Sequence, residues 1–164
     1  GVSTPAMAGT IEVKWHEPEK YTDVDGADES NKRFQQRTFM QFEKHFAKLA
    51  QTLPQDISVK LKITNVNLAG DVRYNFEMHR EIRLITSIYW PMIEFEYQIH
   101  QGDTLVGSGT TKLKDMAFMD RGAMLRNSHE SLSYEKRMLK EWFDHDLPQM
   151  IGAWQRSQNA VMAD

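Results

Sequence analysis

The sequence predicts a two-layer α+β fold, with a mainly antiparallel sheet of about four strands and two main helices packed on one face. Apolar and polar residues alternate at 11–15, 57–63 and 93–99, which is typical of half-buried strands. Apolar residues recur every three or four positions at 34–53 and 134–143, which is typical of amphipathic helices.

The length of 164 residues suits a single hydrophobic core. We expect one α+β domain over residues 9–158. Residues 1–8 are interpreted as a signal-peptide remnant or a tail, and residues 159–164 as a frayed C-terminus.

The first half of the chain contains a short strand and a long helix. Pro18 should end the strand at 11–15, because proline cannot donate a hydrogen bond to a neighbouring strand. An acidic loop then leads into the helix, whose first turn Asp28 or Ser30 can cap. Pro54 should stop that helix.

The strand that starts at Ile57 changes its pattern at Asn65, since the next apolar residues are out of step. This change predicts a bulge or bend. Residues 72–81 are polar and mixed, and we interpret them as a loop. Residues 82–90 fit either a strand or a single helical turn.

The most secure prediction is a hairpin, with strands at 93–99 and 104–114 joined by a turn at Gln101-Gly102-Asp103. A long loop over 115–130 should follow. Ser131 or Ser133 then caps the second helix, and Pro148 begins a new short one.

Composition excludes several classes of protein. Without cysteine there are no disulfides, thiol nucleophiles or cysteine-based zinc sites. A net charge of −3 does not suit a nucleic-acid binder. No apolar run is long enough to insert into a membrane.

The N-terminal residues indicate export. Ala6-Met7-Ala8 has the A-x-A form that precedes a signal-peptide cleavage site, and a plain flexible tail is the alternative. Gly9 rather than cysteine follows, so we expect a soluble, periplasmic or secreted product without a lipid anchor.

Three motifs invite chemical interpretations. Asp23, Asp25 and the acids after them fail the spacing of a calcium loop, and a solvated helix-capping loop is favoured. A methionine-rich segment with a nearby histidine suggests a copper carrier, although methionines more often fill gaps in a core; its members are Met116, Met119, Met124 and His129. No cofactor and no catalytic residue is nominated. A hydrolase remains an alternative, with a site assembled from distant residues among Asp71, His79, Asp115 and Glu135.

Tyr89-Trp90-Pro91 follows Arg80 and Arg83, and aromatic residues beside arginine suit ligand recognition. The alternative is that Trp90 anchors the core and Pro91 starts an edge strand.

The chain also resembles a family of uncharacterised exported bacterial proteins, domain of unknown function 3016, over about residues 11–147. The resemblance rests on Leu68-Ala69-Gly70-Asp71, Arg80-Glu81-Ile82-Arg83, Tyr89-Trp90-Pro91, Leu113-Lys114-Asp115-Met116, Tyr134 to Leu139 and Trp142-Phe143. It implies export and a single domain, but no activity and no site residue.

Taken together, these observations predict a non-enzymatic module that binds a ligand or an envelope protein. The candidate ligand-binding residues are Asp71, Arg80, Arg83, Tyr89, Trp90 and Asp115. A related hypothesis is that acids and arginines meet where the sheet packs on the helices; it concerns Asp71, Arg80, Arg83, Asp115, Glu135 and Arg137.

Overall fold

The computed structural model describes residues 9–24, 31–69, 71–75, 79–84, 90–115 and 132–163. Six strands and three helices lie in these ranges. The strands are β1 (Thr10–Trp15), β2 (Ile57–Asn67), β3 (Asp71–Asn75), β4 (Arg80–Leu84), β5 (Met92–Gln101) and β6 (Thr104–Lys114). The helices are α1 (Asn31–Ala50), α2 (Ser133–Glu141) and α3 (Leu147–Ala163), with a 3₁₀ turn at Pro18–Lys20 and a π-helical turn at Trp142–Asp146.

The main sheet has four strands in the order β1-β2-β5-β6. The β2–β5 and β5–β6 pairs are antiparallel, but β1 and β2 are parallel. The sheet is therefore mixed, and the prediction of an α+β fold with a four-stranded sheet is confirmed at that level. The parallel pair arises because α1 carries the chain back across the sheet between β1 and β2.

The bulge predicted in β2 is confirmed. The register between β2 and β5 shifts between Ile63 and Asn65. After the shift Val66 points into the core, where none of its surface is exposed. The hairpin of β5 and β6 is also confirmed, and Gly102 in its turn has a φ of 59° that favours glycine.

The prediction of a loop over residues 72–81 was wrong at both ends, since residues 72–75 belong to β3 and residues 80 and 81 to β4. Residues 71–75 form β3, which pairs antiparallel with β4 in a separate two-stranded sheet. Alternation of apolar and polar residues indicates a strand that is buried on one side. A two-stranded ribbon outside the main sheet does not need this alternation, so β3 was not recognised from the sequence.

The core forms between α1, the sheet and the C-terminal helices. α1 contributes buried Phe42, Phe46 and Leu49 at helical spacing. At the edge of this core, the Trp15 ring stacks on Phe39 with centroids 4.0 Å apart.

The C-terminal helices differ from prediction in two ways. Ser133 is the first residue of α2 rather than its cap; the capping position belongs to Leu132, in a left-handed conformation without a side-chain cap. The helix predicted from Pro148 is not a new short one, because α2 continues through the π-helical turn into the 17-residue α3. The Leu147 N–H bonds to the Trp142 carbonyl, five residues back, so the ladder is already shifted where Pro148 lacks a donor.

Several predicted features lie outside the described residues. They are the tail at 1–8, the caps Asp28 and Ser30, Ser131, and the loop from 116 to 130. Within the ranges that are described, no helix combines the length and apolarity needed to cross a bilayer.

Candidate ligand-binding site

A groove of about 580 Å³ runs across the middle of the main sheet. It lies on the face away from the core, since Lys60, Glu96 and Thr110 in its lining are exposed, whereas Leu61 between the flanking lysines is buried. Pockets of about 300–1,000 Å³ accommodate small ligands. The groove therefore has the size of a small-molecule site, although it is open rather than enclosed.

Strand register places the groove side chains in two rows across the sheet. One row contains Glu12, Lys60, Gln98 and Ser108, in the order of the strands.

The second row contains Lys14, Lys62, Glu96 and Thr110 in the same order. The Lys62 ammonium lies 3.5 Å from the Glu96 carboxylate. The groove thus has three lysines and Glu12 on the β1–β2 side, and Glu96 with neutral hydrogen-bonding groups on the β5–β6 side.

The aromatic residue nearest the groove is held on the core side. The Tyr97 ring packs against Trp142, with centroids 5.3 Å apart. A Cβ atom at Gly109 would lie only 2.8 Å from the Tyr97 hydroxyl, so glycine makes room for this ring. The groove therefore presents polar groups rather than an aromatic platform.

A second, smaller cleft of about 310 Å³ lies where the end of β6 meets the π-helical turn. Among its lining residues are Asp115, Glu141, His145 and Asp146. The Asp115 N–H donates to the Pro91 carbonyl at 3.2 Å, which brings Asp115 beside the Trp90-Pro91 segment. π-helical turns are frequent at functional sites.

A network of charged residues lies at the base of the β3–β4 ribbon. Arg83 donates two hydrogen bonds to the Asp23 carboxylate, both of 2.9 Å, and a third of 3.4 Å to the Ala69 carbonyl. The Ala69 N–H in turn donates to Glu135 Oε1 at 2.8 Å. Ala69, the second residue after β2, is thus held at its N–H by Glu135 of α2 and at its carbonyl by Arg83 of β4.

The Glu135 side chain is almost fully buried. Burial raises the pKa of this carboxyl above its usual value of 4.5, while the hydrogen bond from Ala69 and the positive charge of Arg83 act in the opposite direction. Because the opposing groups do not cancel the effect of burial, the network holds an acid that binds its proton more tightly than usual.

The six predicted ligand-binding residues occupy different surroundings. Arg83 belongs to the charged network, while Arg80 is exposed at the start of the same strand. Trp90 is 37% exposed and lines neither cleft, whereas Asp115 lines the smaller one.

The other two predicted residues are only partly placed. Asp71 begins β3 opposite Leu84, but its side chain lies outside the described part, as does Tyr89 altogether. Whether the six bind a ligand stays a prediction.

Of the six residues in the hypothesis that acids and arginines meet, Arg83 and Glu135 both bond to the backbone of Ala69, and their direct pairing stays a prediction. Arg83 forms its ion pair with Asp23, which was predicted to lie in a solvated loop. Arg137 pairs within its own helix, with Glu141 at 3.2 Å.

Residues of the alternative functions are scattered or lie outside the description. His79 is exposed and Glu135 lines neither cleft. The methionines and the histidine of the copper hypothesis fall in the segment that is not described. In the part of the chain that is described, no three His, Asp or Glu side chains are grouped to hold a metal.

Sequence reasoning missed the groove residues Lys14, Lys60, Gln98 and Thr110. Their signal was present in the polar positions of the alternating strands, but only the register shows that they lie side by side. The pairing of Asp23 with Arg83 gave no signal, since sixty residues separate them.

The fold and the groove define a class: an α+β protein with a mixed four-stranded sheet and a groove of lysines, glutamates and neutral polar residues across one face. The model of the family described as "Protein of unknown function (DUF3016)" matches residues 9–145, so the chain belongs to that family. No curated protein and no solved structure matches the chain.

Proposed function

We propose that this protein is a non-enzymatic binding module of the cell envelope, periplasmic or secreted, that holds a small polar ligand in the groove of the main sheet. The groove itself is the observation that carries the proposal. Its volume of about 580 Å³ falls within the range of small-ligand sites.

The layering of the fold supports this use of the sheet. We infer that the helices cover one face and leave the other to the ligand. Inward residues of the central strands, such as Val59 and Phe95, are at most 1% exposed, while Lys60 and Glu96 next to them are exposed. The groove is thus backed by a packed core, which keeps its side chains in fixed register.

The predicted ligand-binding residues then divide by role. Arg83 supports the fold through its ion pair with Asp23 rather than contacting the ligand. Asp115 lies in the smaller cleft. The groove residues take their place as the ligand-binding set, because they line the larger site.

Nuclear magnetic resonance titration of ¹⁵N-labelled protein tests the proposal. The panel contains neutral sugars, sugar phosphates, organic acids and short peptides. At least one compound should shift the amide signals of Lys60, Glu96 and Thr110 in a saturable manner. Its own signals should be unchanged after overnight incubation, as expected for binding without chemistry.

A bulky substitution on β6 provides the matched control. Thr110→Trp should block binding by filling the groove, whereas Thr104→Trp, at an exposed position near the turn of the same strand, should leave it intact. A panel in which no compound moves the groove signals, or binding that survives Thr110→Trp, would contradict the proposal.

The envelope location rests on Ala6-Met7-Ala8 and requires its own measurement. N-terminal sequencing of the protein recovered from the medium or periplasm should find Gly9 as the first residue. Recovery from the cytoplasm with residues 1–8 attached would argue against export.

A further inference from the structure

The positive charges of the groove lysines are neutralised only in part by the protein itself. Lys14 lies directly opposite Lys62 across the parallel β1–β2 pair. Neighbouring strands lie about 4.8 Å apart, and like charges at directly opposed positions are destabilising. Lys60, two residues from Lys62 on the same face, adds a third cation.

The charges around these lysines compensate them only in part. Lys62 is paired with Glu96, and Glu12 lies opposite Lys60 without forming an ion pair. Among the residues that the structure describes, neither Lys14 nor Lys60 has an ion-pair partner. With three lysines and two glutamates in its lining, the groove as a whole keeps an excess of one positive charge, and all three lysines lie on the β1–β2 side.

The other side of the groove offers neutral hydrogen-bonding groups around Glu96, whose charge is paired with Lys62. Gln98 and Ser108 continue the row of Lys60, and Thr110 continues that of Lys62. Hydroxyl and amide groups both donate and accept hydrogen bonds, which matches the hydroxyls of a polyol. Since the Tyr97 ring packs on the core side against Trp142, the groove gives no face on which a nucleobase could stack.

From this asymmetry we propose that the groove binds an anionic polyol, such as a sugar phosphate or a sugar acid. The anionic group lies among Lys14, Lys60 and Lys62, and the hydroxyl groups reach Gln98, Ser108 and Thr110. Ammonium groups bind phosphate and carboxylate as point charges, which suits a site without arginine. The inference rests on the proposed use of the groove and specifies what enters it.

Four probes separate the two halves of the proposed ligand: glucose 6-phosphate, gluconate, glucose and inorganic phosphate. Each is titrated into the ¹⁵N-labelled full chain while the amides of Lys60 and Thr110 are followed. Glucose 6-phosphate, gluconate or both should bind at least about tenfold more tightly than glucose or phosphate, as expected when charged and neutral contacts both contribute. The better of the two anions identifies the head group.

Charge-removing variants locate the anionic end. Lys60→Gln and Lys14→Gln should each weaken binding of the preferred anion by about tenfold, because each removes one charge-assisted contact. Lys48→Gln, at an exposed position on α1, is the matched control and should change nothing. Amide spectra of the free variants establish that they are folded.

The outcomes distinguish this inference from the proposed function beneath it. Glucose or a peptide that binds the groove as tightly as the anions would overturn the anionic polyol and leave the groove as a binding site. If inorganic phosphate binds as tightly as glucose 6-phosphate, the groove is an anion site that does not recognise the polyol, and the inference is overturned. If no probe and no compound of the wider panel moves the groove signals, both proposals fall.

Discussion

Replacement of Arg83 by methionine should destabilise the protein strongly. Arg83 holds Asp23 through two hydrogen bonds of 2.9 Å, and the two side chains are only 18% and 19% exposed. Methionine keeps much of the side-chain volume but leaves Asp23 with a poorly solvated negative charge, and it removes the positive charge that favours the ionised form of Glu135.

The expected size follows from this geometry. Breaking a buried ion pair by removing one partner costs about 3–5 kcal/mol. Because about a fifth of each side chain still reaches solvent, we expect the lower end, about 3 kcal/mol in the free energy of unfolding. For a protein of this length that corresponds to a fall in Tm of about 6–12 °C.

Urea unfolding at pH 7, followed by tryptophan fluorescence, measures the effect. Arg80→Met, an exposed position on the same strand, is the control and should change the free energy by less than about 0.5 kcal/mol. Asp23→Asn combined with Arg83→Met completes a double-mutant cycle, whose coupling free energy should be about 2 kcal/mol. Equal stabilities of the two arginine variants, or a coupling near zero, would refute the reasoning.

Three further substitutions test the core and its buried acid. Glu135→Gln should become more stable relative to wild type as the pH rises from about 4 to 8, as measured by urea unfolding. The reason is that a raised pKa in the folded state gives wild type a stabilisation that is complete below the usual pKa of 4.5 and is lost as the pH passes the raised pKa. A difference between the two proteins that does not change with pH would argue against a buried carboxyl with a raised pKa. Gly9→Ala should lower the free energy of unfolding by about 1–3 kcal/mol, since a Cβ atom would lie 2.5 Å from a backbone carbonyl oxygen. Gly107→Ala, where the nearest atom would be 3.6 Å from the Cβ, is the control and should be tolerated. Similar urea midpoints for the two variants would show that the structure around Gly9 can relax. Trp142→Ala should lower the free energy of unfolding by about 3–5 kcal/mol, as measured by thermal unfolding, because Trp142 is buried. Trp90→Ala should lower it by much less, because Trp90 is 37% exposed. A larger loss for Trp90→Ala than for Trp142→Ala would contradict the assignment of Trp142 to the core.

The parts of the fold that sequence predicted are those encoded by local pattern. The shift of apolar residues at Asn65 located the bulge, and Gln101-Gly102-Asp103 located the hairpin turn. The direction of the β1–β2 pair was not predictable in this way, because alternation shows which face a residue occupies but not which neighbour it meets. The prediction that a new helix begins at Pro148 was wrong because helical hydrogen bonding is already shifted at Leu147. The helix can therefore continue although proline has no N–H donor.

The candidate site was less predictable than the fold. Arg83 was singled out as a binding residue, yet its contact with Asp23 depends on two segments sixty residues apart. Lys14 and Lys62 were recognised only as polar positions of separate strands. Their juxtaposition follows from register, which tertiary packing decides.

The parallel pairing of β1 with β2 bears on the order in which the chain folds. β5 and β6 meet through a short turn, whereas β1 reaches β2 only after the segment 16–56 has closed into a loop. We therefore expect the hairpin to form early and β1 to dock late. During synthesis β1 leaves the ribosome before its partner exists, with Val13 and Trp15 uncovered. We expect Glu12, just before Val13, and Lys14, between Val13 and Trp15, to act then as gatekeepers against aggregation, a role that precedes the formation of the groove.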